Sequence, residues 1–237
     1  MTRTRIVVLA ASVAVAAAAF ALWWFMFRDT APEQATLAGA VAAVTSSTEP
    51  GAAPVDPGEV VEGGWLVVAD GSSFVGYRVQ EELASIGAKT AVGRTPAVEG
   101  GFTVSAGTVT AMEITADLTG LESDDSRRDG ALRRQALEID RFPTARFLLT
   151  GPIDLPAGAG AGEAVTVVAL GELTLRGVTR PVQVSLEAQL VEGRIVVVGS
   201  LPILFADYEI ERPRSAIVLS VDDNGIMEMQ LVFAPAG

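Results

Sequence analysis

The chain has 237 residues, with 17 Lys plus Arg against 29 Asp plus Glu and a formal net charge of −12. It contains no cysteine and no histidine, and Lys89 is its only lysine, so no thiol nucleophile, imidazole base or Ser-His-Asp relay can be assembled. Zinc, copper and haem sites built on imidazole or thiolate fall with them, which leaves carboxylate chemistry or an oxygen-ligand cation site.

Ile6 to Phe27 carries no charged side chain. As a helix it would span roughly 33 Å, enough for a hydrocarbon core of ~30 Å. Arg3 and Arg5 precede it, and Trp23 and Trp24 lie near its far end, where indoles favour the interface. Residues 1–28 therefore read as a single transmembrane anchor in the cell membrane, with the N-terminus cytoplasmic and the remainder extracytoplasmic. The competing reading is a cleaved signal peptide. Against it, the apolar run continues through Leu22 to Phe27 with no A-x-A pattern after it. Three basic residues (Arg3, Arg5, Arg28) flank this run and no acid precedes Asp29, so the rest of the chain carries 14 basic against 29 acidic residues. Such a body repels phosphate backbones and anionic surfaces. That argues against a nucleic-acid partner and makes any lipid contact apolar in origin.

Residues 29–64 turn to Ala, Pro, Gly, Ser and Thr, and Pro32, Pro50, Pro54 and Pro57 break any continuing helix. They read as a flexible tether, with a short apolar stretch around Leu37 to Val44 that can coil briefly.

Residues 65–237 form one domain whose dominant signal is period two. Met112, Ile114, Ala116 and Leu118 alternate with polar residues. So do Val182, Val184, Leu186, Ala188 and Leu190, and so do Met227, Met229, Leu231 and Phe233. These are strands with one wet and one dry face, the mark of antiparallel pairing. Further strands are expected at residues 65–68, 74–81, 100–105, 146–150, 165–175, 194–201 and 217–221. Asn224-Gly225 suits a type I′ hairpin joining Ile217–Val221 to Ile226–Phe233, and Glu192-Gly193 suits another turn. One helix interrupts the pattern over Arg127 to Leu137, capped by Ser123, Asp124 or Ser126, and it can lie across a barrel mouth or on the outer wall. Eight or nine strands with one helix suit a closed barrel, which also removes sheet edges.

Several segments resemble the YceI-like family, lipocalin-shaped barrels that bind polyisoprenoid chains. They are Ser73 to Val79, Val92 to Thr95 with Val98 to Phe102, Ser126 to Leu132, and Arg141 to Phe147. The strongest is Gly171-Glu172-Leu173-Thr174-Leu175-Arg176-Gly177-Val178-Thr179-Arg180-Pro181-Val182, similar to the family's "G-x-L-T-l-x-G-v-T-k-P-v" signature. The resemblance covers residues 65 to 234. It implies an all-β, lipocalin-like antiparallel eight-stranded β-barrel with one inserted α-helix, here preceded by a transmembrane helix and a tether. Many members carry a His near the first strand, where this chain has none. In its own right, Gly171 and Gly177 bracket a hairpin whose second arm starts at Pro181, and Arg128-Asp129 reads as a clamp between helix and wall rather than a catalytic pair.

Eight strands make a barrel that side chains just fill or that holds one slim ligand. Apolar stripes alone favour a filled core. The resemblance implies a tunnel, and the dry strand faces supply its candidate lining: Phe102, Val104, Met112, Ile114, Phe147, Leu149, Leu173, Leu175, Val184, Leu186, Met227 and Met229. The expected function is a surface-tethered binding protein, not an enzyme, that sequesters or carries a polyisoprenoid or other long-chain apolar ligand without a cofactor. The alternative is a ligand-free structural or interaction ectodomain of the cell envelope. Asp222-Asp223-Asn224-Gly225 resembles the start of a calcium loop, but position twelve is Phe233, so no metal site is nominated.

Overall fold

The computed structural model describes residues 20, 31–47, 62–84, 87–213 and 218–237. The anchor expected over residues 1–28 lies outside them, apart from Phe20. Among the described residues no helix is long and apolar enough to cross a membrane.

Thirteen strands follow in chain order: β1 (Gly63–Val67), β2 (Phe74–Leu83), β3 (Gly87–Thr95), β4 (Val98–Ser105), β5 (Thr108–Asp117), β6 (Glu122–Ser123), β7 (Thr144–Leu149), β8 (Ile153–Asp154), β9 (Val165–Leu175), β10 (Val178–Val191), β11 (Arg194–Leu204), β12 (Val218–Val221) and β13 (Asn224–Pro235). Helix α1 (Leu37–Ser47) precedes them, and α2 (Ser126–Ala131) follows β6 and runs into a π-helical turn at Leu132–Ala136.

The register closes the sheet. β1 and β2 lie end to end along β13, with Val67 opposite Phe233 and Phe74 opposite Gln230, and so act as one broken strand. β3 and β4 lie end to end along that strand, with Val75 opposite Thr95 and Trp65 opposite Phe102. The ring then runs through β5, β7, β9, β10, β11 and β13 and back, an eight-stranded antiparallel barrel. Three seams are two-residue turns at Ala106-Gly107, Arg176-Gly177 and Glu192-Gly193. Both residues of each have positive φ, as the twist of a type I′ hairpin demands.

Four local expectations are corrected. Asn224 and Gly225 do not turn: neither has positive φ, and Asn224 already pairs with Leu204. β12 and β13 are both antiparallel to β2, which means they run in the same direction and cannot form a hairpin. The β9–β10 hairpin turns at Arg176-Gly177, so its second arm starts at Val178, and Pro181 falls where β10 has only β9 beside it. The helix is capped by Asp125, whose carboxylate accepts from the Arg127 N–H. The fourth concerns the tether.

The stretch Leu37 to Val44 is part of an eleven-residue helix rather than a brief coil. Leu37, Ala40 and Val44 share one face of α1 and are buried against Val196, Val198 and Val232 on the outside of the barrel. β11 explains why. Ile195 to Val198 is apolar on both strand faces, so its outward valines need a cover as much as its inward side chains need a core. Just before α1, Arg78 and Arg94 each donate to Glu228, which is fully buried on the outer wall. Arg78 Nη2 donates to the Pro32 carbonyl, and Arg94 Nη2, shared with Glu228, also donates to the Glu33 carbonyl. Residues 31–47 are thus strapped to the wall, not free.

Candidate functional site: the barrel interior

Inward-facing side chains leave three spaces stacked along the barrel, and β9 shows their order. Leu175 lines the first, Leu173 and Ala169 the second, Val167 and Val165 the third. Ten residue steps make a wall of roughly 33 Å, about 25 Å along the axis for a strand tilt near 40°. The first space, at the mouth, takes in about 910 Å³ of non-atom volume and the other two about 610 Å³ each, open solvent included in all three. Neighbouring spaces share walls. Val75, Ala145 and Met227 border both mouth and middle; Met112, Leu186 and Val197 border both middle and far end. These shared side chains divide the interior into separate apolar spaces rather than one open tunnel.

The middle space is apolar throughout. Arg146 contributes backbone only, since its guanidinium turns outward to Glu113 at 2.7 Å. Beyond it an aromatic cluster backs the far end, with Phe102 edge-on to Phe233 (centroids 4.9 Å apart) and stacked with Trp65 (6.3 Å).

Of the residues expected from sequence, Met112, Ile114, Phe147, Leu173, Val184, Leu186, Met227 and Met229 line the middle space. Leu175 lines the mouth and Phe102 the far end. Leu149 packs against the core without bordering any of the three, and Val104 is buried in the core. Gly171, the inward position between Ala169 and Leu173, gives up its place to the Phe147 ring. A Cβ there would lie 2.4 Å from that ring and 2.6 Å from the Leu148 carbonyl. Gly171→Ala is expected to destabilise the barrel by about 2 kcal/mol, because backbone and a packed ring must both yield. A denaturant midpoint indistinguishable from the parent would refute this.

Beyond the strand residues that reach it, much of the mouth is built by segments between strands or at their ends. Leu118, Leu121, Leu132, Ala136 and Leu137 come from the segment between β5 and β7, and Ile203, Phe205, Ile210 and Pro213 from the end of β11 onward. The helix thus lies at the mouth. Arg128 holds it there, donating to Glu81 on β2 and to Asp124, which also accepts from Lys89 at 2.9 Å. Asp129 does not pair with Arg128; it accepts from the Ser123 N–H at 3.1 Å and the Ser123 hydroxyl at 2.6 Å. Two polar atoms at the mouth are buried with no hydrogen-bond partner, the Tyr77 hydroxyl and Arg128 Nε. The Tyr77 hydroxyl faces Ser123 without a well-formed hydrogen bond, and burial pushes its pKa upward.

Hydrogen bonds from Lys89 and Arg128 hold the Asp124 carboxyl below the ordinary Asp value of 3.8, and those from the Arg127 side chain and N–H do the same for Asp125. A folded-state value below the unfolded one gives stabilisation that is whole above the unfolded pKa and lost as pH falls through the folded one. The helix should therefore stay anchored at pH values above the ordinary Asp value of 3.8 and loosen as pH falls below it. The measurement is amide exchange: residues 122–137 should lose protection before β9–β11 do, and simultaneous loss would contradict the assignment.

A closed antiparallel barrel with a mouth, a helix across it and an apolar interior defines a lipocalin-like binding fold. The sequence matches the YceI-like domain over residues 67–233, and the chain belongs to that family. Its fold is similar to a polyisoprenoid binding domain from Saccharophagus degradans implicated in plant cell wall breakdown. The TM-score is 0.56 at 20% identity, covering 73% of this chain and 98% of that one. It is also similar to BcnA of Burkholderia cenocepacia, with a TM-score of 0.55 at 17% identity over 70% and 98% of the two chains. No curated protein matches the sequence.

Proposed function

We propose that this chain is a membrane-tethered, extracytoplasmic binding protein that sequesters or carries a polyisoprenoid or other long-chain apolar molecule, with the cargo's polar end at the mouth. The observation that carries the reading is the series of three connected-wall apolar spaces running from the mouth to the aromatic far end. Each buried CH₂-sized group contributes about 0.8 kcal/mol, so a five-carbon unit contributes roughly 4 kcal/mol before the chain's ordering entropy is subtracted. A slim chain threaded past Ala145 and Met227 gains that burial without needing a charged contact. At the mouth, the unpaired Tyr77 hydroxyl and Arg128 Nε suit a single hydrogen-bonding head, since a buried polar group without a partner is costly. Tethering rests on the uncharged run Ile6 to Phe27 and its flanking arginines. The polyisoprenoid chemistry described for the Saccharophagus degradans domain agrees with the cargo proposed here.

The test is organic extraction of the purified full chain followed by mass spectrometry. A stoichiometric long-chain lipid is the expected result. A clean extract that also fails to take up a polyprenyl probe would leave the ligand-free ectodomain as the better reading.

A further inference from the structure

We propose that the strap holds the barrel with its mouth facing the bilayer, so that cargo passes between membrane and cavity without crossing open water. The inference goes beyond the binding reading and rests on the tethering part of it. Residues 31–47 run along the outer wall in one direction. Pro32 and Glu33 are held by Arg78 and Arg94, which sit on β2 and β3 beside the Ile226–Glu228 level of β13, toward the mouth. The apolar face of α1 then seats on Val232, Val196 and Val198, further from the mouth. β1 begins further still, pairing with Phe233 to Pro235 and with Gly101 to Val104 at the far end. The chain therefore descends the wall from mouth to far end, and whatever precedes Pro32 leaves at the mouth end.

The spacing makes this consequential. Five residue steps lead from Phe27 to Pro32, so the wall at Pro32 lies within about 18 Å of the end of the apolar run even when fully extended. A free tether from 29 to 64 would let the barrel tumble at any angle, whereas a strapped one does not. The rim carries the matching chemistry. Leu219 on β12 and Leu204 at the end of β11 are 65% and 55% exposed, and Ile203 and Val221 beside them line the mouth. Leu66 is also exposed at the opposite end, so exposed leucines alone do not select the mouth. The strap's direction does. The rim also bears Glu82, Asp222 and Asp223, all exposed, so approach to the bilayer is enforced by the chain and not by charge attraction.

The experiment exploits the absence of cysteine. Full-length Leu219→Cys and Ser105→Cys chains, the second labelled at the far end, are reconstituted in phosphatidylcholine vesicles containing a head-group spin-labelled lipid. Each carries one fluorophore at the new thiol. Quenching at 219 is expected to exceed that at 105 severalfold. Ala40→Glu, which puts a charge into the α1–barrel contact but touches no cavity residue, should bring the 219 signal down toward the 105 level. Equal quenching of the two labels, stronger quenching at 105, or no response to Ala40→Glu overturns the proposal. If the chain does not sediment with vesicles, tethering and orientation both fail. If it does sediment and carries lipid but the labels quench alike, only the orientation fails.

Discussion

Ala145→Phe is expected to lower affinity for a long-chain ligand by about two orders of magnitude while leaving the barrel folded. Ala145 is buried and borders both the mouth and the middle space, so a phenyl ring on its inward Cβ occupies the passage between them. A cargo chain would then be confined to the mouth. Losing even one five-carbon unit of burial removes roughly 4 kcal/mol gross, and returned chain entropy offsets part of that, leaving about 3 kcal/mol. Overpacking would normally cost 1–3 kcal/mol of stability, but the ring enters existing space, so the lower end is expected. Titration with a fluorescent polyprenyl probe reads the affinity. Ala111→Phe makes the same addition at an exposed position and should leave binding unchanged. Full binding by the Ala145 variant would mean the cargo does not pass that neck.

Glu228→Ala is expected to be among the most destabilising substitutions outside the core, by about 3 kcal/mol. Its carboxylate is fully buried on the outer wall and accepts from Arg78 at 2.9 Å and Arg94 at 2.7 Å. Removing it leaves two guanidinium groups crowded under the strap with no counter-charge. Both retain some solvent contact, with 13% and 28% of the side chains exposed, which is why the lower end of the range for a broken buried pair applies. Replacing all three residues by Leu and Met should recover much of the loss, because the penalty lies in the uncompensated charge. Denaturant unfolding in detergent compares the variants, and a loss under 1 kcal/mol for Glu228→Ala would show that the arginines find water instead.

What could be read from the sequence follows from what period two encodes. Alternation in Val182 to Leu190 and in Met227 to Phe233 names the dry face directly, and ten of the twelve residues expected from the dry faces line the interior spaces, Leu149 and Val104 being the two that pack into the core instead. Alternation does not name a partner. Asn224-Gly225 has the composition of a tight turn, yet Asn224 is drawn into pairing with Leu204 and the chain continues straight. Strand β3 escaped notice because Ala91, Val92 and Gly93 are buried on both faces, so no alternation marks it. The mouth was illegible for a related reason. Leu121, Leu132 and Phe205 converge from short irregular segments whose meeting depends on the closed barrel. The strap did leave a trace, in the unbroken apolar run Ile195 to Val198, which a one-sided strand has no use for.

The seam between β1–β2 and β13 differs in kind from the others. The other seams of the ring join strands close in sequence, several through two-residue turns, whereas this one brings Trp65 against Pro235. Loop-closure entropy weighs most heavily on that step, so hairpins can zip early while the sheet stays open with two raw edges. Ring closure is then the slow event in reaching the native state, and the interval before it is when this chain is most exposed to edge-to-edge aggregation.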